Sequence, residues 1–134
     1  MFRQGLIIEK AKLGEDDLQV AITLFELGKC LRQDQQYVEA EKVFRQVLVI
    51  EKAKMGEDDL QVAITLYELG ICLRQDRRYD EAETVLRHAA TIQIAKLGEE
   101  DLQVATTLHQ LGVCLHEDQR YDCLLYTSPS PRDS

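Results

Sequence analysis

A 42-residue internal period limits what this chain can fold into more than any other feature. Gly14, Gly56 and Gly98 share it, as do Gly28, Gly70 and Gly112, then Cys30, Cys72 and Cys114, then Tyr37, Tyr79 and Tyr121. Residues 14–55 and 56–97 are identical at 28 of 42 aligned positions, and MFRQGLIIEKAKL at 1–13 aligns with VFRQVLVIEKAKM at 43–55. A unit of this size cannot bury its apolar face alone, so the core has to form by stacking each copy on the next. The chain accordingly divides into the second helix of a preceding repeat (1–13), two repeats (14–55 and 56–97), a truncated repeat (98–122) and a tail (123–134).

Within each copy the apolar residues recur at helical spacing. Leu18, Ala21, Leu24, Leu27, Gly28 and Leu31 lie three or four residues apart and form one stripe. The polar run Gln33-Asp34-Gln35-Gln36 interrupts it, and Ala40, Val43, Phe44, Val47 and Ile50 begin a second. Asp16 or Asp17 is placed to cap the first helix, and Gly56 to end the second with a positive φ. No segment alternates with period two between turn signals. The expectation is an all-α solenoid of stacked antiparallel helix pairs, with about six helices over residues 1–122. Gly28, Gly70 and Gly112 fall inside helices, where glycine costs roughly 1 kcal/mol relative to alanine. Their recurrence points to a close helix approach, expected opposite Ala40 and Ala82.

Composition narrows the function. With 16 Lys+Arg against 24 Asp+Glu the net charge is −8, which disfavours a phosphate backbone as partner. No apolar run approaches the ~20 residues that cross a bilayer, and no signal-peptide pattern opens the chain. Nucleic acid and membrane are therefore not expected partners, and a cytoplasmic location is. Three of the four cysteines are copies of one helical position and read as buried packing residues rather than metal ligands or disulfides. His109 and His116 are seven apart, two helical turns, too far for one ion, and no short-spaced ligand set completes a site with His88. The acidic triplets at 15–17 and 57–59 stand at helix starts, where carboxylates complement the macrodipole. No phosphate-cradling glycine cluster or nucleophile elbow occurs. The reading is a non-enzyme with no cofactor and no metal.

Leu27-Gly28…Leu31…Tyr37…Ala40…Phe44, repeated as Leu69-Gly70…Leu73…Tyr79…Ala82…Leu86, resembles the tetratricopeptide repeat. The usual unit of that family is about 34 residues, and the longer period here resembles the variant of kinesin light chains and nephrocystins. The phrase K-x-G-E-D-D-L-x-V-A-x-T-L is similar to the kinesin-light-chain one. Leu18, Leu60 and Leu102 stand where the family commonly has proline, and the chain has no Asn, so the family's asparagine clamp on peptide backbone does not carry over. Separately, Cys123–Asp133 resembles the conceptual translation of a transposase-based sequencing adapter, and the tail is expected to lie outside the packing.

What the resemblance implies is a scaffold that binds a protein or peptide through the concave face lined by the first helices. Residues 14–34 match 56–76 at 19 of 21 positions, and the exceptions, Phe25/Tyr67 and Lys29/Ile71, fall where the family's groove residues fall. The third copy has His109 and Val113 there, and Arg32 and Arg74 become His116. Phe25, Lys29, Arg32, Tyr67, Ile71, Arg74, His109, Val113 and His116 are thus the candidate groove, aromatic and basic in character and suited to a peptide carrying acidic residues. The alternatives are a kinesin light chain cargo adaptor, marked by an upstream coiled coil, or the repeat arm of a nucleotide-hydrolysing signalling enzyme whose catalytic domain lies in other sequence. The chain reads as a fragment of a longer array. The last helix then lacks its partner, and self-association through that end is expected.

Overall fold

The computed structural model describes residues 17–125, and among these the chain is entirely helix and short connections. The helices are α1 (Asp17–Gln33), α2 (Tyr37–Met55), α3 (Leu60–Gln75), α4 (Tyr79–Leu97) and α5 (Leu102–Leu125). Each packs against its neighbours in sequence, while α1 only grazes α3 and α3 only grazes α5. This is a stack of helix pairs, the all-α solenoid the period predicts. Five helices are described rather than about six, because the helix expected over 1–13 lies outside the described residues. None of the helices is long and apolar enough to cross a membrane.

The connections follow from local chemistry. Gly56 and Gly98 close α2 and α4 with φ of 93° and 92°, the positive values that glycine alone adopts freely. Asp59 and Asp101 then start the next helices, each carboxylate accepting a hydrogen bond of 2.8 Å from the backbone N–H of Gln61 or Gln103. The cap expected from Asp16 or Asp17 lies outside the described side chains. Within a pair the turn is tighter. The Gln36 N–H reaches the Leu31 carbonyl at 2.8 Å and the Gln35 N–H reaches Arg32 at 2.9 Å, a Schellman closure. Arg78 and Arg77 repeat it on Leu73 and Arg74, both at 2.9 Å. Gln35 and Arg77 occupy the left-handed position, at φ of 63° and 65°.

Two clusters make the core. Val20, Ala21, Leu24, Val43 and Val47 fill the first pair, and a larger cluster from Phe44 through Leu69, Leu73 and Leu86 to Cys114 runs across the stack. The helical glycines are where the pairs close most tightly. A Cβ on Gly28 would lie 2.7 Å from Phe44 Cε1, and one on Gly70 only 2.6 Å from Leu86 Cγ. The sequence placed Ala40 and Ala82 opposite these glycines. Both are fully buried, but the side chains that fill the gap are Phe44 and Leu86, one turn further on, because a glycine leaves a hole that a large knob enters. Gly112, at the same phase on α5, has nothing within 4 Å of its Cβ position among the described residues.

Cys72 and Cys114 are buried, as the repetition implied, and each thiol donates to the carbonyl of the tyrosine that opens the previous pair's second helix, Tyr37 at 3.3 Å and Tyr79 at 3.4 Å. Burial pushes both thiols up to about 11, which keeps the donating proton in place at neutral pH. Cys30 departs from the expectation and is exposed, since no earlier helix pair among the described residues covers it. The last helix also runs to Leu125, past the boundary placed at 122. Cys123-Leu124-Leu125 contains no helix breaker and leucine is a strong helix former, so the backbone has no reason to stop there. The rest of the tail lies outside the described residues.

Candidate functional site

The first helices α1, α3 and α5 share one face of the stack, and two clefts recur there at the same phase of the period. The first, about 360 Å³, is walled by Leu18, Ile22 and Phe25 of α1 with Met55 and Gln61 of the flanking elements. The second, about 230 Å³, is walled by Ile64, Tyr67 and Glu68 of α3 with Gln103 and Thr106 of α5. Phe25 and Tyr67 are equivalent positions, as are Ile22 and Ile64, and Gln61 and Gln103. The repeat therefore builds one concavity twice.

Each cleft reaches down to a buried polar joint between consecutive pairs. Glu51 of α2, 3% exposed, accepts a hydrogen bond of 2.7 Å from the Thr65 hydroxyl of α3. Gln93 of α4, also 3% exposed, accepts one of 2.6 Å from Thr107 of α5. The two joints differ by a single change, carboxylate in one and amide in the other. Burial pushes the Glu51 carboxyl above its usual range, with hydrogen bonds from Thr65 and Gln61 opposing and the charge of Asp59 reinforcing the rise.

The residues singled out from the sequence divide into several environments. Phe25 is half-buried and packs edge-on against Phe44, with ring centroids 5.9 Å apart. Lys29 lies over the Phe25 ring, 5.1 Å from its centroid, and pairs with Glu26 at 3.5 Å. Tyr67 lines the second cleft. Ile71 is buried, at 9% exposure, and lines neither cleft. His109, Val113 and His116 come together on α5 with Gly112 and Glu117, around a third depression of about 410 Å³.

Arg32 and Arg74 are already engaged. Arg32 of α1 reaches Glu68 of α3 at 3.1 Å, and Arg74 of α3 reaches Glu117 of α5 at 3.2 Å. The offset differs because position 110, the equivalent of Glu68, is a glutamine, and Arg74 turns to Glu117 instead. Gln110 Oε1 and the Nε atoms of Arg32 and Arg74 are buried with no hydrogen-bond partner among the described residues. The arginines thus form a ladder that ties successive first helices together.

Sequence reasoning missed Glu51, Gln93 and their threonines. The signal is present, since a glutamate and a glutamine stand at one phase within an otherwise apolar stripe, but a lone polar residue there looks the same in sequence whether it is exposed or buried. Among the described residues no three His, Cys, Asp or Glu side chains converge as a metal site. Two family models described as Tetratricopeptide repeat match the chain, over residues 61–122 and 23–56, together more than two thirds of its length. Comparison with curated proteins found no match.

Proposed function

Since the chain belongs to the tetratricopeptide repeat family, we propose that it is an interaction scaffold that docks a peptide or a helix of a partner protein in the groove formed by α1, α3 and α5. The observation that carries this is the pair of equivalent clefts, each with an aromatic wall, Phe25 in one and Tyr67 in the other. Aromatic side chains at the edge of a concavity offer large contact area at small entropic cost. A partner with apolar anchors about one repeat apart fits both clefts at once.

Acidic side chains on the partner add a second, weaker element. A carboxylate approaching Arg32 or Arg74 has to share the guanidinium with Glu68 or Glu117. Most of the affinity therefore comes from the clefts. The 42-residue period and the K-x-G-E-D-D-L phrase support a place in the long-period group of kinesin light chains and nephrocystins.

The test is a peptide selected on the full chain from a random display library. Tyr67→Ala should weaken its binding by about 1–3 kcal/mol with helicity unchanged. Val49→Ser, at a position 70% exposed on α2, should leave it unaltered. The reverse pattern would place the docking surface elsewhere.

A further inference from the structure

The two clefts share equivalent walls at Ile22 and Ile64, Phe25 and Tyr67, and Gln61 and Gln103, and the Glu68 carboxylate in the wall of the second is already paired with Arg32; their floors differ. In the first, the floor is the carboxylate of Glu51; in the second, it is the amide of Gln93. Glu51 is almost completely buried and no cation of the described residues pairs with it. From α3 and its cap it meets Thr65, Gln61 and the negative charge of Asp59. From α1 the cleft presents Leu18, Ala21, Ile22 and Phe25, all without charge. The nearest lysine on α1, Lys29, is held over Phe25 and paired with Glu26. A buried carboxylate in an apolar cleft open to solvent lacks only a counter-ion.

We propose that the first cleft is a cation subsite, taking the ammonium group of a partner lysine or another primary amine onto Glu51, while the Gln93 cleft takes a neutral anchor. The apolar walls suit the methylene stem of such a side chain, and a single carboxylate suits a compact point charge better than a planar guanidinium fork. The partner is then read in one direction along the groove, cationic anchor over α1 and neutral anchor over α3. This rests on the docking groove proposed above, although the subsite can be probed without the partner.

The probe is n-butylammonium, compared with n-butanol, followed by methyl chemical shifts of the full chain. The ammonium should shift Ile22 and Met55 saturably, at least about fivefold more tightly than the alcohol, as expected when a neutral hydrogen bond is replaced by a charge-assisted one. Binding should strengthen as pH rises and Glu51 ionises, and should weaken with added salt. Glu51→Gln, which copies the residue the fold already accepts at position 93, should abolish the preference. Gln93→Glu should create one at Ile64. Equal shifts from ammonium and alcohol, or an ammonium preference that survives Glu51→Gln, would overturn the proposal. If a selected peptide occupies both clefts while butylammonium shows no preference, the subsite is wrong and the groove stands. If butylammonium binds at Glu51 while the peptide binds α2 and α4, the groove is wrong and the subsite stands.

Discussion

At the scale of single residues, three glycines at one phase of the repeat have different surroundings, and the difference is measurable. Gly70→Ala places a methyl 2.6 Å from Leu86 Cγ, a branch point that cannot swing away. Overpacking of this kind costs about 1–3 kcal/mol, more than the roughly 1 kcal/mol that alanine gains in a helix. Gly112→Ala meets nothing among the described residues and keeps the helix gain, so it should stabilise by up to about 1 kcal/mol. Urea unfolding of the two variants checks both signs. Glu51 gives a second residue-scale prediction. Its carboxyl is raised by burial, so the folded chain binds more protons than the unfolded one between the ordinary and the raised value. Stability from this group therefore falls as pH rises through that window. Glu51→Gln should melt above the wild type at neutral pH, and the difference should shrink as the solution is acidified below the ordinary carboxylate range. The glycine spacing was legible in the sequence. The side chain that fills each glycine hole was not, because that depends on the crossing of two helices rather than on either stripe.

At the scale of elements, the boundaries follow from chemistry visible in the sequence. The polar run at 33–36 becomes the turn after α1, and Gly56 becomes the positive-φ stop after α2. The Schellman turns hold residues ill-suited to them, Gln35 and Arg77 in the left-handed region. An L-residue there costs roughly 1–2 kcal/mol, against the 0.5–1 kcal/mol of extra chain entropy that glycine brings to the unfolded state. Arg77→Gly should therefore stabilise by about 0.5–1 kcal/mol, read as a rise in the urea midpoint without a change in slope. The second helices are tied by Arg78, the residue before α4, which bonds Glu81 of α4 and Glu41 of α2. Burial works against ionisation of Glu41, but Arg78 and Arg45 hold its carboxyl below the usual range. This depressed group acts oppositely to Glu51: its contribution is present above the ordinary carboxylate value and is lost as pH falls through the depressed one. Acid should thus loosen the ionic tie between α2 and the start of α4 while relieving the α2–α3 joint. The pairings behind both effects were hidden in the sequence. Arg32 finds Glu68 at an offset of 36, and Arg74 finds Glu117 at 43, and neither is the 42-residue period.

At the scale of the molecule, the stack turns a repeated sequence into repeated concavities, and small departures from repetition give them different chemistry. The period showed that helix pairs stack; the resemblance to the tetratricopeptide repeat is what pointed to the first helices as the groove. It could not show that the groove is divided into clefts, that its arginines already face glutamates, or that a carboxylate and an amide alternate beneath. Those features belong to contacts between copies. The most direct test of the docking groove is the methyl footprint of the selected peptide on the full chain. The account predicts shifts at Ile22, Met55 and Ile64, which line the clefts, with Val38 and Val49, exposed on α2, unmoved. Shifts at Val38 and Val49 with the cleft methyls silent would contradict it.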